Sequence, residues 1–306
     1  MNATFSIVIP CYNDSRFLHR SVGSAFAQRT SADGAVLLEV LLVDDGSTDE
    51  TARVCEQFTN EYLDVFRYLY KTNGGVSTAR NTGIENVRGE YLIFLDADDE
   101  LSPDALENYA KFIEPDTNWL IGGSRWERDG RVRERNVTLP ASAEQCFVDY
   151  LEKKLHLGNI SNMCWRRSLF DDFRFDPTLP VSEDVALFAV LLTRETPVIV
   201  PEPTALAHRR EDSLRTRTSW AGHVESVVVD VIFQHPLLAP SYQKFLSRYL
   251  AQRGRSIMKR AYREGRYDEV VTWYPFMLRH NPLLVGNLKM LYRYTRSRYE
   301  CARIAS

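Results

Sequence analysis

The chain has 306 residues, of which 44% are hydrophobic, 11% aromatic and 26% charged, and its formal net charge is −3. That is long enough for one large domain, or a main domain with an appendage, around a sizeable core, and the balance excludes a disordered chain. No apolar run approaches the roughly 20 residues of a membrane-spanning helix, and no basic segment with an apolar stretch after it precedes Phe5, as a signal peptide requires, so a chain that neither spans a bilayer nor carries a leader is expected.

Short apolar runs alternate with amphipathic stretches through the first half, the pattern of an α/β domain with a mostly parallel sheet. Phe5 to Ile9 reads as the first strand. Beyond Pro10-Cys11-Tyr12-Asn13-Asp14, the spacing of Leu18, Val22, Ala25 and Phe26 predicts a helix with one apolar face. Val36 to Val43 is a second strand, interrupted only by Glu39. Asp44-Asp45-Gly46-Ser47-Thr48-Asp49 supplies a tight turn and cap candidates for a helix through Cys55, Phe58 and Tyr62. Phe66 to Tyr70 is a third strand, and Asn73-Gly74-Gly75-Val76-Ser77 leads into a helix from Thr78 to Val87. Tyr91 to Leu95 is a fourth strand, and Ser102-Pro103 is placed to start another helix.

Later elements are less regular. Trp119 to Ser124 reads as a strand, and the highly charged Arg125 to Arg135 as a hairpin or mobile loop. Helical patterns return at Glu144 to Leu155 and Asp184 to Leu192, and Pro197 to Pro203 has the character of an edge strand. After Trp220 the chain is mostly helical, with breaks at His235-Pro236, Pro240 and Asn281-Pro282. The five cysteines, Cys11, Cys55, Cys146, Cys164 and Cys301, are odd in number and lack zinc-like spacing, which fits a reducing, cytosolic compartment.

The run from Tyr91 to Asp99 carries the most chemistry. A strand ends abruptly in Asp96, Asp98 and Asp99, and carboxylates so close repel unless a cation joins them. All-oxygen ligands favour Mg2+ or Mn2+ over zinc. Along an extended chain Asp96 and Asp98 would project to the same side and converge on one ion, or on one ion plus a ligand phosphate. The bland reading is a strand end followed by a helix cap.

Four loops thus collect at the carboxyl ends of four strands, where open α/β sheets bind ligands. Ser6-Ile-Val-Ile-Pro10-Cys-Tyr12-Asn13, Val43-Asp44-Asp45-Gly46-Ser47-Thr48-Asp49, the stretch Asn73-Gly74-Gly75 to Arg80-Asn81-Thr82-Gly83, and Asp96-Ala97-Asp98-Asp99 together resemble the family-2 glycosyltransferases of the GT-A fold. Ser182-Glu183-Asp184 is similar to the family's Glu-Asp element and carries the likeness to about residue 210.

The resemblance implies a GT-A catalytic domain over residues 1–218, with 1–100 holding a nucleotide-sugar and 101–218 the acceptor, followed by a basic helical extension over 219–306. It implies a donor site formed by Pro10, Tyr12, Asn13, Asp44, Asp45, Gly75, Arg80, Asp96, Ala97 and Asp98. Tyr12 would lie against the nucleobase, with packing beneath a loop as its alternative. Asp44 or Asp45 would accept from base or ribose, unless Asp45 is a turn residue. Arg80 would reach the diphosphate or else be an ordinary solvated arginine. Asp96, Asp98 and His208 would hold Mn2+ or Mg2+, and Arg209 and Arg210 would help neutralise the diphosphate. At His208 the alternative is a surface or core histidine, and Leu206 stands where the family often has an aromatic residue.

Asp184 is implied as the base that takes the acceptor hydroxyl's proton in an inverting displacement, its alternative being a helix-start acid favourable to the dipole. The implied function is transfer from a nucleotide-diphosphate sugar, by family habit a UDP-sugar, to a glycan or lipid-linked acceptor in surface polysaccharide assembly. Haloacid-dehalogenase phosphatases also have Asp-x-Asp after a strand, but near the start of their core and followed by Thr or Val. Nucleotidyltransferases usually open with a Gly-rich basic loop, which Cys11-Tyr12-Asn13-Asp14 is not. A binding protein without turnover would have lost the base or metal acids, and both are present.

From Lys244 onward 14 Lys and Arg face 4 Asp and Glu, a balance of +10 that leaves −13 for residues 1–243. Basic residues from Arg248 to Arg266 recur beside Tyr249, Leu250, Ile257, Met258 and Tyr262. That mixture points either to peripheral attachment at the anionic cytoplasmic face of the membrane or to a basic face packed on the acidic domain or a second subunit. Nucleic-acid binding is not expected, because the catalytic motifs account for the ligand.

Overall fold

The structure, a computed structural model, describes residues 3–28, 35–128, 131–208 and 221–305. β1 (Ala3–Cys11), α1 (Ser15–Ala27), β2 (Ala35–Asp44), α2 (Thr51–Glu61), β3 (Phe66–Tyr70), α3 (Val76–Asn86) and β4 (Tyr91–Phe94) follow one another in the expected places. The four strands are parallel in the order β3-β2-β1-β4, with Ile7 of β1 between Val40 and Ile93. Parallel strands are covered on both faces, which is why they read as near-continuous apolar runs. Phe5, Ile7 and Ile9 pack with Leu18, Val22 and Ala25 of α1, while Val8, Leu41 and Val43 pack with Ala79 and Ile84 of α3. A Cβ on Gly83 would stand 2.5 Å from Val8 Cγ1, so only a bare backbone lets α3 approach β1 this closely.

Glu39, the one charge within the β2 run, is fully buried. It accepts from Ser6 Oγ (2.8 Å), Arg67 Nη1 (2.6 Å), Arg88 Nε (3.1 Å) and the Arg88 N–H (2.5 Å), joining β1, β2, β3 and the turn before β4.

The second half contains β5 (Glu100–Leu101), α4 (Ala105–Ala110), β6 (Trp119–Arg128), β7 (Arg131–Arg135), α5 (Ala143–Leu151), β8 (Met163–Arg166), α6 (Glu183–Leu191) and β9 (Val198–His208). These extend the sheet to nine strands in the order β3-β2-β1-β4-β8-β6-β9-β5, with β7 paired to β6. Here the pairing is mixed: β8 is antiparallel to β4 and β6, β5 is antiparallel to β9, and β6 and β9 are parallel. β8 has too few residues to show periodicity, and its ladders to β4 and β6 define it. Arg125 to Arg135 is the hairpin alternative, with Arg125 opposite Glu134. The Pro197–Pro203 segment runs into β9, beyond which lies only the two-residue β5. The helix expected at Ser102-Pro103 begins at Ala105, after a turn closed by the Ala105 N–H to Ser102 O (3.1 Å).

The extension is α7 (Ala221–Phe233), α8 (Leu246–Arg263), α9 (Tyr267–His280) and α10 (Leu288–Ala305). Its breaks fall at the expected prolines, with one more at Gly265, whose φ is +73°. Val228, Val229, Ile232 and Phe233 of α7 share an apolar cluster with Phe147 and Leu151 of α5 and Ala186 and Ala189 of α6. Lys244 reaches Glu144 (2.6 Å), and Arg248 grips Glu152 through two nitrogens, so part of the basic charge does face the acidic half. Farther out, α8, α9 and α10 pack on one another through Met258, Val270, Tyr274, Met277 and Met290. Arg209, Arg210 and the boundary at 218 lie outside the described residues. Among the described residues no helix is long and apolar enough to cross a membrane. The five cysteines are free thiols, with Cys11 and Cys55 Sγ 4.0 Å apart.

Candidate active site

The strand order reverses at β1, and open α/β sheets bind ligands beyond the carboxyl ends of the strands at such a point, here those of β1 and β4. Pro10 is buried in β1 opposite Val43. The chain turns at Asn13, whose φ of +54° is in the left-handed region that asparagine tolerates better than most residues. Asn13 Oδ1 accepts the N–H groups of Thr48 (2.8 Å) and Asp49 (3.2 Å), and the Asn13 N–H donates to Ser47 Oγ (3.0 Å). These bonds stitch the β1 loop to the β2 loop. Tyr12 is left 48% exposed at the rim.

The two acids at the end of β2, Asp44 and Asp45, are both buried. Asp44 accepts the Ser47 N–H (2.8 Å) and the Tyr68 hydroxyl (3.0 Å). Burial, reinforced by that bond, pushes the Tyr68 hydroxyl far above its ordinary pKa. Asp45 Oδ1 accepts from Lys71 Nζ (2.5 Å) and the Gly74 N–H (3.0 Å), and its Oδ2 from the Gly75 N–H (2.7 Å). Asp45 therefore shapes the loop in which Gly75, with φ of +89°, precedes α3. Its Oδ2 takes one of these donors and keeps acceptor capacity.

Arg80, one turn into α3, is neither solvated nor aimed outward. Its side chain is 4% exposed; Nη2 donates to Asp96 Oδ1 (2.8 Å) and Nη1 to Glu183 Oε1 (2.6 Å). The guanidinium carbon lies 5.3 Å from the centre of the Phe175 ring. Burial raises the Glu183 pKa despite the attraction of Arg80. One side chain thus joins the end of β4 to the start of α6.

β4 ends at Phe94, and residues 96–99 form a turn closed by the Asp99 N–H to Asp96 O (2.9 Å). The extended alternation expected for Asp96 and Asp98 is therefore absent. Even so, both are only partly buried, whereas Ala97 and Asp99 are buried. The Asp96 N–H donates to Ser161 Oγ (3.2 Å), and Asp98 O accepts from Arg20 Nη2 (2.8 Å). Asp99 accepts from Asn159 Nδ2 (2.6 Å), Ser161 Oγ (2.8 Å) and the His208 N–H (3.2 Å). Burial, followed by repulsion from Asp96 and Asp98, pushes the Asp99 pKa up to about 8. Asp99 is thus an internal tie rather than the cap of a helix.

Asp184 lies in the first turn of α6, after Ser182 at φ of +66°, and accepts the Val185 N–H at Oδ1 (2.8 Å). Its neighbour Glu183 binds Arg80, which holds this helix start against the β4 loop. His208 stands at the end of β9 with Nε2 2.6 Å from Glu100 Oε1 and Nδ1 3.3 Å from Glu127 Oε2, so both ring nitrogens are engaged. Among the described residues no group of three or more His, Cys, Asp or Glu side chains is arranged to hold a metal ion. Sequence reasoning missed Lys71, Tyr68, Asn159, Ser161 and Arg20 as supports of the site. Only Lys71, flanking the glycine loop, had a local signal.

The family model for glycosyl transferase family 2 matches residues 6–173. The minor teichoic acid biosynthesis protein GgaA of Bacillus subtilis (strain 168) is 39% identical over 62% of this chain and 44% of its own length. GgaB of the same strain, also a minor teichoic acid biosynthesis protein, is 25% identical over 80% of this chain and 28% of its own. The chain thus spans less than half the length of either relative. The crystal structure of S. aureus TarS 1-349 in complex with UDP-GlcNAc superposes with a TM-score of 0.67, covering 99% of this chain and 92% of that one at 19% identity, a likeness of fold. With the family model spanning the four strand-end loops just described, and with the GT-A architecture shared along the chain, this protein belongs to glycosyl transferase family 2.

Proposed function

We propose that the chain is an inverting, metal-dependent glycosyltransferase that moves a sugar from a nucleotide diphosphate, in particular a UDP-sugar, to a hydroxyl of a glycan or lipid-linked acceptor in surface-polymer assembly. The observation that carries this reading is the link from Asp96 through Arg80 to Glu183, which holds the helix start bearing Asp184 against the loop after β4. The teichoic acid relatives support a surface polymer, and the UDP-GlcNAc in TarS supports a UDP donor. Five free thiols suit a cytoplasmic location.

Each residue has a distinct part. Tyr12 offers an aromatic face to the nucleobase, and the remaining acceptor capacity of Asp45 suits a base or ribose donor group. Arg80 is a positioning residue, since its two terminal nitrogens each bond a carboxylate, Nη2 that of Asp96 and Nη1 that of Glu183. Asp184 takes the proton of the acceptor hydroxyl as its oxygen attacks the anomeric carbon. Mg2+ is commonly held by one or two carboxylates together with substrate phosphates and water, and Asp96 and Asp98, both only partly buried, would be the protein ligands. A bound Mn2+ or Mg2+ would supply charge neutralisation to the departing diphosphate. Ligation by His208 would require Glu100 or Glu127 to release a ring nitrogen.

Titration with UDP-, GDP- and dTDP-sugars, each with and without Mn2+, tests the reading by thermal shift. Stabilisation by a UDP-sugar that needs the metal is expected, with an inverted anomeric linkage in any transfer product. Binding of no nucleotide sugar, or a retained configuration, would overturn it.

A further inference from the structure

α10 has two unlike faces. Met290 and Ser297 are buried, and Tyr294 stacks on Tyr274 of α9 with ring centres 4.4 Å apart. On the other side Leu288, Leu291, Tyr292 and Tyr299 recur at helical spacing and are all exposed, Leu288 by 77%. The turn Pro282–Gly286 just before them exposes Leu283 by 90% and Val285 by 60%.

A group of cations adjoins this stripe. Arg255, Lys259 and Arg263 recur every four residues along α8 and so share a face. Arg293 of α10 stands 5.5 Å from the centre of the Tyr262 ring, and Arg296 Nη1 is 3.4 Å from both the Tyr262 and the Tyr292 hydroxyl. The α8 cations are therefore continuous with the apolar stripe of α10. Lys244, Arg248 and Arg266 each have a carboxylate partner. Among the described residues no carboxylate pairs with Arg255, Lys259, Arg263 or Arg293. Burial and then the charges of Arg255, Arg293, Arg263 and Lys153 lower the Lys259 pKa, the sign of cations gathered without a counter-ion.

We infer that this joint face of α8 and α10 docks on an anionic phospholipid surface, the cations meeting lipid phosphates while Leu283, Val285 and Leu288 enter the headgroup boundary. Charge selects this occupant over a second copy of the chain. α10 carries five Lys and Arg against Glu300 alone, which pairs with Arg303 at 3.2 Å, so a two-fold contact would set cation against cation. The inference is independent of the donor-site reading.

Flotation of the full chain with phosphatidylcholine vesicles, with and without phosphatidylglycerol, tests it. Binding only to the phosphatidylglycerol vesicles is expected, falling with salt. Lys259→Gln/Arg263→Gln/Arg293→Gln is expected to weaken it on the order of a hundredfold. Leu283→Ser/Leu288→Ser is expected to weaken it as well, with the circular-dichroism spectrum and melting temperature of both variants unchanged. Failure to bind anionic vesicles, or binding that neither variant weakens, overturns the inference. So does a chain dimer in sedimentation that Leu283→Ser/Leu288→Ser abolishes. Inorganic polyphosphate binding as tightly as the vesicles, with the serine variant indifferent, would assign the cations to a soluble polyanion instead.

Discussion

The Arg80 guanidinium, buried and 2.8 Å from Asp96 Oδ1, couples the end of β4 to the start of the helix that carries Asp184. Its second partner, Glu183, is itself buried, so removing the cation strands a carboxylate without a counter-charge. Breaking a buried pair from one side costs about 3–5 kcal/mol, whereas removing both partners costs less. Arg80→Met should therefore lose about that much stability in urea unfolding, and adding Glu183→Gln should recover part of it. Equal losses for the single and double variants would show that Glu183 is not the partner left stranded.

Tyr12 is held at the rim by bonds that its own ring does not make. Asn13, Ser47 and Thr48 fix the loop, so truncating the ring leaves the fold unaffected. Base stacking on an aromatic ring is worth about 1–3 kcal/mol by alanine substitution. Tyr12→Ala is thus expected to weaken nucleotide-sugar binding by roughly 5- to 150-fold at constant melting temperature. Calorimetric titration measures it, and an unchanged affinity would remove Tyr12 from the donor site.

The parallel half of the sheet was legible because β1, β4 and most of β2 are buried on both faces and so show in the chain as apolar runs. Loops at strand ends are equally readable, which is why Tyr12, Asp96 and Asp98 were singled out, whereas Asp184, in the first turn of α6, was singled out by the likeness to the family's Glu-Asp element. What could not be read depends on contacts distant in sequence. Arg80 meets a partner 103 residues away, and Asn159 and Ser161 meet Asp99 from 60 and 62 residues on. No local pattern distinguishes a buried, cross-linking arginine from a solvated one. Asp44 and Asp45 looked like free acceptors because Tyr68 and Lys71, which occupy them, come from the next strand and its edge. The turn at residues 96–99 replaced the alternation that an extended chain would have given.

Glu39 makes stability depend on pH. Burial alone would raise its pKa, but bonds from Arg67, the Arg88 N–H and Ser6 outweigh that and hold it below the ordinary carboxylate value. A depressed folded pKa means that the stabilisation is complete above the unfolded value of about 4.3 and is lost as pH falls through the lower, folded value. The native chain should therefore lose stability below about pH 4.3, more steeply than Glu39→Gln does. At neutral pH the substitution should cost about 1–3 kcal/mol, since it weakens hydrogen bonds to charged groups at a buried site. Parallel acid-unfolding curves for the two proteins would contradict the assignment.

Asp184 and Glu183 are adjacent acids with opposite environments. Glu183 is buried against Arg80, whereas Asp184 is only partly buried and bonds the Val185 N–H of its own turn. Asp184→Asn keeps the shape and the capacity to accept that N–H but loses the ability to take a proton. Turnover should fall by about 10²- to 10⁴-fold while nucleotide-sugar affinity and melting temperature stay where they were. Glu183→Gln should instead lower the melting temperature, with any loss of rate following from displacement of the helix start. Measuring kcat, donor Kd and Tm on both variants distinguishes the roles. A normal kcat for Asp184→Asn would send the search for the base elsewhere.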